Sequence, residues 1–275
     1  MPGARLSTRT RALALTAAAA VLGATFYGVG AATADNSVPR SDKEIPNLTN
    51  VVSEIKAYYG DTVDASGEHF ASPTSNYAKQ VAGIESKAES YLARAARESG
   101  PAGHSGHGAD GSHGKKPAIV LDVDDTSLLT YNYELEVGFN YTPASNQAYL
   151  DNKNMGPVFG MDSLANWAAA KGYTVFWITG RPEAQRADTV RNLTAAGYLP
   201  AADTAHLYLK NSAAPPSYLP CGSTCTTIEY KSGTRAHIES LGYDIVGNFG
   251  DQYSDLSGGS ADRSFKLPNP MYYLP

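Results

Sequence analysis

The 275-residue sequence predicts an α/β fold, in which a Rossmann-like parallel sheet is covered by helices on both faces. Continuous apolar runs at residues 118–121 and 173–178 are typical of strands that are buried on both faces. Shorter strands are predicted at residues 206–209 and 243–248, and helical stretches separate the successive strands. Strands that alternate with helices in this way form a parallel sheet with helices on both sides.

Two helices are predicted before the first strand of this sheet. The first spans about residues 47–59, where Ile55 and Tyr58 lie at helical spacing. In the second, apolar residues recur at steps of three and four between Tyr77 and Ala95, which forms one apolar stripe. We expect this stripe to pack against the rest of the domain, with its aromatic side chains in the core.

Three further helices are predicted between the strands, at residues 164–170, 182–196 and 232–241. The second has Pro182 in its first turn and Gly197 just past its end, an arrangement that is typical of helices.

Residues 130–160 are too few for a large cap domain and predict a small lid over the strand ends. The lid carries five aromatic residues, which are Tyr131, Tyr133, Phe139, Tyr141 and Tyr149. Either they stack on an aromatic substrate, or they pack against the N-terminal helices.

The first 34 residues have the pattern of an export signal. Three arginines precede an Ala-rich apolar stretch at residues 12–29, and residues 32–34 form the small-residue cleavage site Ala-Thr-Ala. A single membrane anchor is the alternative, but the stretch is near the lower length limit for a membrane span. We therefore expect cleavage after Ala34, a mature domain of residues 35–275, secretion, and no stable membrane association.

The net charge bears on the choice of partner. The formal charge is −5, and it becomes −8 without Arg5, Arg9 and Arg11 of the predicted signal. A general binder of nucleic-acid backbones needs a basic surface. We therefore expect no nucleic-acid partner, while a local cationic pocket for a small phosphate stays compatible with this charge. The sequence leaves a homo-oligomer open.

Residues 100–116 predict a flexible surface loop, because they are rich in Gly, Ser and His and have no periodicity. The loop contains His104, His107 and His113, which without a fixed backbone would bind a metal weakly at best.

Cys221 and Cys225 are the only cysteines. In an exported protein, a close pair of this kind is usually a structural disulfide. The C-x3-C spacing disfavours a redox motif, and no further zinc ligands lie nearby in the sequence.

Polar residues follow three of the predicted strands. Asp122 and Asp124 follow the first, Thr179 and Gly180 follow the second, and Asp251 follows the last. The carboxyl ends of parallel strands meet at one edge of the sheet, where ligands bind in open α/β folds. We expect these residues to converge there.

Asp122 and Asp124 are two residues apart at a strand end, so their side chains can point the same way. Neighbouring carboxylates repel each other and favour a hard cation such as Mg²⁺ or a shared proton. A carboxylate can also attack phosphorus and form an acyl phosphate. Turn or capping aspartates are the simpler alternative, but D-x-D-x-T after an apolar strand favours catalysis.

The next candidates are residues whose groups suit a phosphate. The Thr179 hydroxyl and the Gly180 N–H could hold a phosphate oxygen near the helix predicted to begin at Pro182, although Thr179 could simply cap that helix. Lys231, at the start of a predicted helix, or Lys210, after a strand, could neutralise the phosphate; we favour Lys231.

The last acidic pair lies in the segment G-D-Q-Y-S-D. Asp251 is placed to bind the metal opposite Asp122, and Asp255 would hold Asp251 or Lys231 in place.

Together these motifs resemble the haloacid-dehalogenase (HAD) superfamily, with its D-x-D-x-T loop, Thr, Lys and acidic pair. Within it, the chain is similar to plant-type and bacterial class B–C-like acid phosphatases, a group that includes vegetative storage proteins. The segments that carry this similarity are ITGR at 178–181, YKS at 230–232, GDQYSDL at 250–256 and FKLPNPMYY at 265–273. The resemblance extends from about Tyr77 to the C-terminus.

The resemblance implies a role for each motif residue. Asp122 would be the nucleophile that becomes phosphorylated, and Asp124 the general acid and then the general base. Thr179 and Lys231 would bind the phosphoryl group. Mg²⁺ would be bound by Asp122, Asp251 and the backbone carbonyl of Asp124.

We therefore expect a secreted acid phosphatase with broad specificity for small phosphate monoesters. An acidic optimum follows, because raising the pH deprotonates the general acid Asp124. The alternatives are a dedicated nucleotide or sugar phosphatase, a phosphotransferase, and a non-catalytic storage or phosphate-binding protein. The presence of Asp122 disfavours the last of these.

Overall fold

The computed structural model describes residues 47–98 and 114–274, together with Ser41 and Ile45. The predicted export signal and the three histidines of the 100–116 loop lie outside the described residues. Leu48–Pro275 forms the unit that carries the fold.

Two helices and a short hairpin precede the main sheet. Helix α1 spans Leu48–Tyr59, the antiparallel pair β1 (Thr62–Val63) and β2 (His69–Phe70) follows, and helix α2 spans Asn76–Glu98. The predicted apolar stripe of the second helix is confirmed, because its residues Tyr77, Val81, Ala88 and Leu92 are fully buried.

The main sheet consists of five strands, which are β3 (Lys116–Leu121), β4 (Thr174–Pro182), β5 (Leu207–Lys210), β6 (Tyr243–Gly250) and β7 (Ser264–Lys266). All neighbours pair in parallel, in the order β5-β4-β3-β6-β7. The predicted parallel sheet is therefore confirmed. After β3 the chain adds β4 and β5 on one side of this strand, and then β6 and β7 on its other side. The strand order therefore reverses between β3 and β6, and open α/β folds bind ligands at such a switch point.

Two short helices follow β3, within the segment predicted as a lid. Helix α3 spans Tyr131–Glu136 and helix α4 spans Pro143–Asn152. Helix α4 begins at a capping box, in which the Thr142 and Ser145 side chains each accept a bond from the other's backbone N–H.

The remaining helices are α5 (Met161–Ala170), α6 (Arg186–Ala195), α7 (Thr227–Ser240) and α8 (Tyr253–Leu256). Side chains alternate along β3: Ile119 and Leu121 pack in one core cluster with Leu92 of α2, whereas Val120 packs in the other with Ile238 of α7. The sheet is thus covered on both faces, as predicted. Among the described residues, no helix has the length and apolar character that a membrane span requires.

Three predicted helix starts were wrong, and the helix expected from residue 164 begins at Met161. The helix expected to begin at Pro182 begins at Arg186, after a 3₁₀ turn at Glu183–Gln185. Proline disfavours the helical conformation in the preceding residue, and Pro182 itself is extended at φ −68° and ψ 151°, so β4 continues to this point.

The helix expected at residues 232–241 begins earlier, at Thr227. The Thr226 hydroxyl accepts a bond from the Glu229 N–H, and the Glu229 carboxylate accepts one from the Thr226 N–H. This capping box fixes the start of α7, and Lys231 lies inside the helix rather than at its beginning. The segment before it contains the Cys221–Cys225 disulfide, with a Cα–Cα distance of 4.9 Å, which confirms the predicted pairing.

The predicted loop at 100–116 also ends too late, because Lys116 already belongs to β3.

Candidate active site

A cavity of about 360 Å³ lies at the carboxyl ends of β3, β4 and β6. Its walls contain every site residue that the sequence predicted, namely Asp122, Asp124, Thr179, Gly180, Lys231, Asp251 and Asp255. The expected convergence therefore occurs. Parallel strands bring these residues together because each motif lies at the carboxyl end of a strand or in a helix that leads into the next strand.

Lys231 contacts two of the buried carboxylates in the cavity wall. Its Nζ donates to Asp122 Oδ1 at 2.6 Å and to Asp255 Oδ1 at 2.5 Å, and all three side chains are buried. Burial disfavours the charged ammonium, yet Asp122 and Asp255 together raise the pKa of Lys231 above its usual range. Lys210 also lines the cavity, but its Nζ donates to the Cys225 carbonyl at 3.2 Å. Of the two candidate lysines, the structure brings Lys231 to Asp122.

Three carboxylates form an acidic cluster. Asp122, Asp251 and Asp255 each have an oxygen within 4.8 Å of the others. Burial raises the pKa of Asp122 well above its usual range against the opposing effect of Lys231, and burial with repulsion from Asp125 and Asp255 raises the pKa of Asp251 to about 7. A single ammonium does not balance three buried carboxylates, and the ionised cluster favours a hard divalent cation. The donor set therefore fits Mg²⁺.

Asp251 is held from two directions. Its Oδ2 accepts bonds of 2.7 Å from both Gln252 Nε2 and Asn269 Nδ2, and Thr126 Oγ1 donates to Oδ1 at 3.3 Å. Asn269 belongs to the C-terminal tail, to which the sequence analysis gave no chemical role. The only signal for it was the tail motif that carries the family resemblance.

The Asp124 side chain does not belong to the acidic cluster and instead binds Arg181. Arg181 Nη2 donates to Oδ1 at 2.6 Å, and Nε donates to Oδ2 at 2.9 Å. Arg181 Nη1 also donates to Thr189 Oγ1 at 3.2 Å, which fixes the guanidinium from behind. The Asp124 side chain nevertheless keeps 28% of its surface exposed and lines the cavity. This pair was not predicted from the sequence, although Arg181 directly follows the Thr179-Gly180 motif.

Asp125 lies within the loop that contains the first motif, D-x-D-x-T at residues 122–126. It has a positive φ of 53°, and its fully buried carboxylate accepts bonds from the Thr130 N–H, the Thr130 hydroxyl at 2.6 Å and the Tyr272 hydroxyl at 2.7 Å. Burial raises the pKa of Asp125 to about 7, against the effect of these hydrogen bonds. No role was predicted for Asp125, because no local pattern indicates which distant residues will surround it.

Thr179 and Gly180 form the wall on the β4 side. Thr179 is buried, and its Oγ1 accepts a bond of 3.1 Å from the Arg181 N–H. The pairing of β4 with β5 is irregular between Thr179 and Pro182, and Gly180 is exposed within this interruption. Irregular pairing of this kind often re-aims backbone groups next to active sites.

The aromatic residues of the 130–160 segment have two locations. Tyr131 stacks on Tyr59 of α1, with ring centroids 4.5 Å apart, whereas Tyr133, Phe139 and Tyr141 line the cavity. Packing against the N-terminal helices is thus confirmed for Tyr131, whereas stacking on a substrate stays a prediction for the three residues of the cavity wall.

Among solved structures, the chain is similar to the Class C acid phosphatase from Bacillus anthracis with tungstate bound. The TM-score is 0.58 at 19% sequence identity, and the match covers 82% of this chain and 87% of the other. At this identity the likeness concerns the fold alone.

Curated relatives come from plants. The chain is 39% identical over 163 residues to Acid phosphatase 1 of Solanum lycopersicum, a match that covers 56% of this chain and 58% of the relative. It is 34% identical over 162 residues to Vegetative storage protein 1 of Arabidopsis thaliana, covering 57% and 55%. It is 33% identical over 165 residues to the Stem 28 kDa glycoprotein of Glycine max, covering 58% and 61%. The chain thus aligns with 55–61% of the length of these relatives.

Fold and site together define the class: an α/β protein with an acidic cavity at the carboxyl ends of a parallel sheet. Residues 44–275 match the family described as HAD superfamily, subfamily IIIB (Acid phosphatase), and the chain belongs to this family. The resemblance predicted from the four motifs is confirmed.

Proposed function

We propose that the chain is an acid phosphatase that hydrolyses phosphate monoesters, with Asp122 as nucleophile and Mg²⁺ as cofactor. One observation carries the proposal. The Asp122 carboxylate follows the central strand β3 at the cavity, in contact with Lys231 and within the acidic cluster that contains Asp251. A buried carboxylate beside a cation and a metal-binding cluster suits nucleophilic attack on a phosphoryl group.

In the first step, the phosphoryl group lies against Lys231, the Thr179 hydroxyl and the Gly180 N–H. An Asp122 oxygen attacks phosphorus, the bond from phosphorus to the leaving oxygen breaks, and Asp124 donates a proton to that oxygen. In the second step, Asp124 takes a proton from water, which attacks phosphorus, releases phosphate and restores the Asp122 carboxylate. The partly exposed position of Asp124 at the cavity wall supports both roles.

Asp122, Asp251 and the backbone carbonyl of Asp124 would hold Mg²⁺. When bound, the ion supplies positive charge that keeps the carboxylates ionised and stabilises negative charge on the transferring group. Asp255 is proposed as a supporting residue, because its Oδ1 contacts Lys231 and its Oδ2 accepts a bond of 2.8 Å from the Gln252 N–H.

Secretion is part of the proposal. The predicted signal in residues 1–34 supports it, as does the disulfide between Cys221 and Cys225. A relative named as a stem glycoprotein points the same way. Detection of the processed chain from Asp35 in the medium of an expressing culture would test this part.

The first experiment is hydrolysis of p-nitrophenyl phosphate at about pH 5–6, with Mg²⁺ and after its removal by a chelator. Asp122→Asn should lose several orders of magnitude in kcat, since the covalent route disappears. Asp151→Asn, on the exposed side of α4, is the matched control and should keep activity. A folded wild-type protein without activity across pH and metals would refute the proposal.

A second candidate is a non-catalytic storage or phosphate-binding protein, which the relative named Vegetative storage protein 1 favours. It predicts phosphate binding by calorimetry without turnover. A dedicated nucleotide or sugar phosphatase would instead show turnover restricted to one substrate class in a substrate panel.

A further inference from the structure

Glu134 of α3 is a cavity residue that the proposed chemistry does not use. It is only 4% exposed and lines the cavity beside Tyr133, Phe139 and Tyr141. Within the part of the chain that the structure describes, its carboxylate forms no hydrogen bond and no ion pair. Burial, and then repulsion from Asp124, raise the pKa of Glu134 to about 7.

A buried carboxylate without a partner is costly, and buried charges in proteins are normally paired. The cations of the cavity wall are already engaged: Lys231 with Asp122 and Asp255, and Arg181 with Asp124. Lys210 donates to a backbone carbonyl. Among the described residues, no cation pairs with the Glu134 carboxylate, and a cationic ligand in the cavity would supply the counter-charge of its ionised form.

The aromatic rings next to Glu134 also favour a cationic ligand. Tyr133 and Tyr141 lie edge to face with centroids 6.4 Å apart, and Tyr141 is 56% exposed. Burial and the negative charges of Asp124 and Glu134 raise the pKa of Tyr141, against the opposing charge of Arg181. Aromatic faces beside a carboxylate attract organic cations.

The cavity wall thus combines two kinds of group. Lys231 and Gly180 suit a phosphate, whereas Glu134 with Tyr133 and Tyr141 suits an organic cation. A substrate that complements both sets carries a phosphate and an alkylammonium group on the same small molecule.

We propose that Glu134 is a specificity-determining residue, and that the preferred substrates are phosphate monoesters of amino alcohols. This inference rests on the proposed phosphatase function and names its substrate class. The ammonium group stays on the leaving alcohol, so the reaction is the hydrolysis described above.

The test compares kcat/KM for phosphocholine and phosphoethanolamine with that for 3,3-dimethylbutyl phosphate, a neutral isostere of phosphocholine. Assays are run at about pH 5–6, where the acidic optimum is expected, and near pH 7, because the pKa of Glu134 is raised to about 7. The variant is Glu134→Gln, and the control is Glu136→Gln on the same helix, a partly exposed residue that pairs with Lys153. The p-nitrophenyl phosphate assay measures basal activity in every protein.

We expect the wild type and Glu136→Gln to favour the cationic substrates over the isostere by about tenfold or more. Glu134→Gln should lose this preference and keep p-nitrophenyl phosphate hydrolysis within about threefold of wild type. A wild type that hydrolyses p-nitrophenyl phosphate without the preference, or a Glu134→Gln variant that keeps it, overturns the inference alone. If Glu134→Gln instead loses activity selectively on a sugar or nucleoside phosphate, Glu134 contacts a substrate hydroxyl. That result also overturns the inference. A wild type inactive on all substrates refutes the phosphatase function itself.

Discussion

Arg181 binds both carboxylate oxygens of Asp124, with distances of 2.6 Å from Nη2 to Oδ1 and 2.9 Å from Nε to Oδ2. The planar guanidinium fixes the plane of the carboxylate at the cavity wall, and Thr189 fixes the guanidinium in turn. Arg181 directly follows the Thr179-Gly180 segment, so in the proposed mechanism one strand end would position both the phosphate-binding groups and the general acid.

Arg181→Lys should lower kcat about 10- to 100-fold, because an ammonium cannot hold both oxygens and Asp124 loses its orientation. The loss should be larger for an alkyl phosphate than for p-nitrophenyl phosphate, since a poor leaving group depends more on the general acid. Steady-state kinetics on both substrates provides the measurement. Equal losses on the two substrates would mean that Arg181 does not act through Asp124.

Lys231→Met should reduce kcat/KM by about 100-fold or more, because it removes the cation that contacts Asp122. It should also lower the free energy of unfolding by about 3 kcal/mol, because two buried carboxylates lose their partner. Urea denaturation and kinetics measure the two effects. Lys210→Met is the matched control, and equal inactivation by both substitutions would contradict the assignment of Lys231.

Asn269→Ala should weaken Mg²⁺ binding about tenfold, since the Asn269 amide fixes Asp251 Oδ2 at 2.7 Å. Calorimetric titration with Mg²⁺ gives the affinity directly, independently of turnover. Asn152→Ala, at the exposed end of α4, serves as control. An unchanged affinity in Asn269→Ala would show that the tail does not support the metal site.

Glu85 of α2 should make stability depend on pH. One of its oxygens, Oε1, is buried without a partner next to Gly160, and burial, with repulsion from Glu89 and Asp162, raises the pKa of Glu85 to about 7. The folded state thus binds this proton more tightly than the unfolded chain. Its contribution to stability is fully present below the ordinary pKa of a glutamate and is lost as the pH rises through about 7.

Glu85→Gln should therefore reduce the loss of stability between about pH 5 and pH 8. Urea denaturation of both proteins at the two pH values is the measurement, with the exposed Glu54→Gln as control. If Glu85→Gln retains the full pH dependence of the wild type, another group is responsible.

The fold could be predicted because its signals are local. Apolar runs such as residues 118–121 and the alternation of strands with helices are visible in the sequence and force a parallel sheet. The predicted starts of α6 and α7 were wrong, although the features that set the true starts are also local. These features are the extended backbone at Pro182 and the capping box at Thr226. Pro182 was interpreted as a first-turn proline, and the capping box at Thr226 was overlooked.

The sequence by itself determined the class of fold and the residues that meet at the cavity, because the chain order of a parallel sheet places every strand's carboxyl end on one edge. Only the tertiary structure decided which lysine contacts Asp122, that Arg181 binds Asp124, and that Asn269 and Tyr272 both donate to Asp125 of the first motif. These contacts join residues between 57 and 147 positions apart in the chain. Such contacts depend on how helices and the tail pack on the sheet, and no local pattern of residue types encodes that packing.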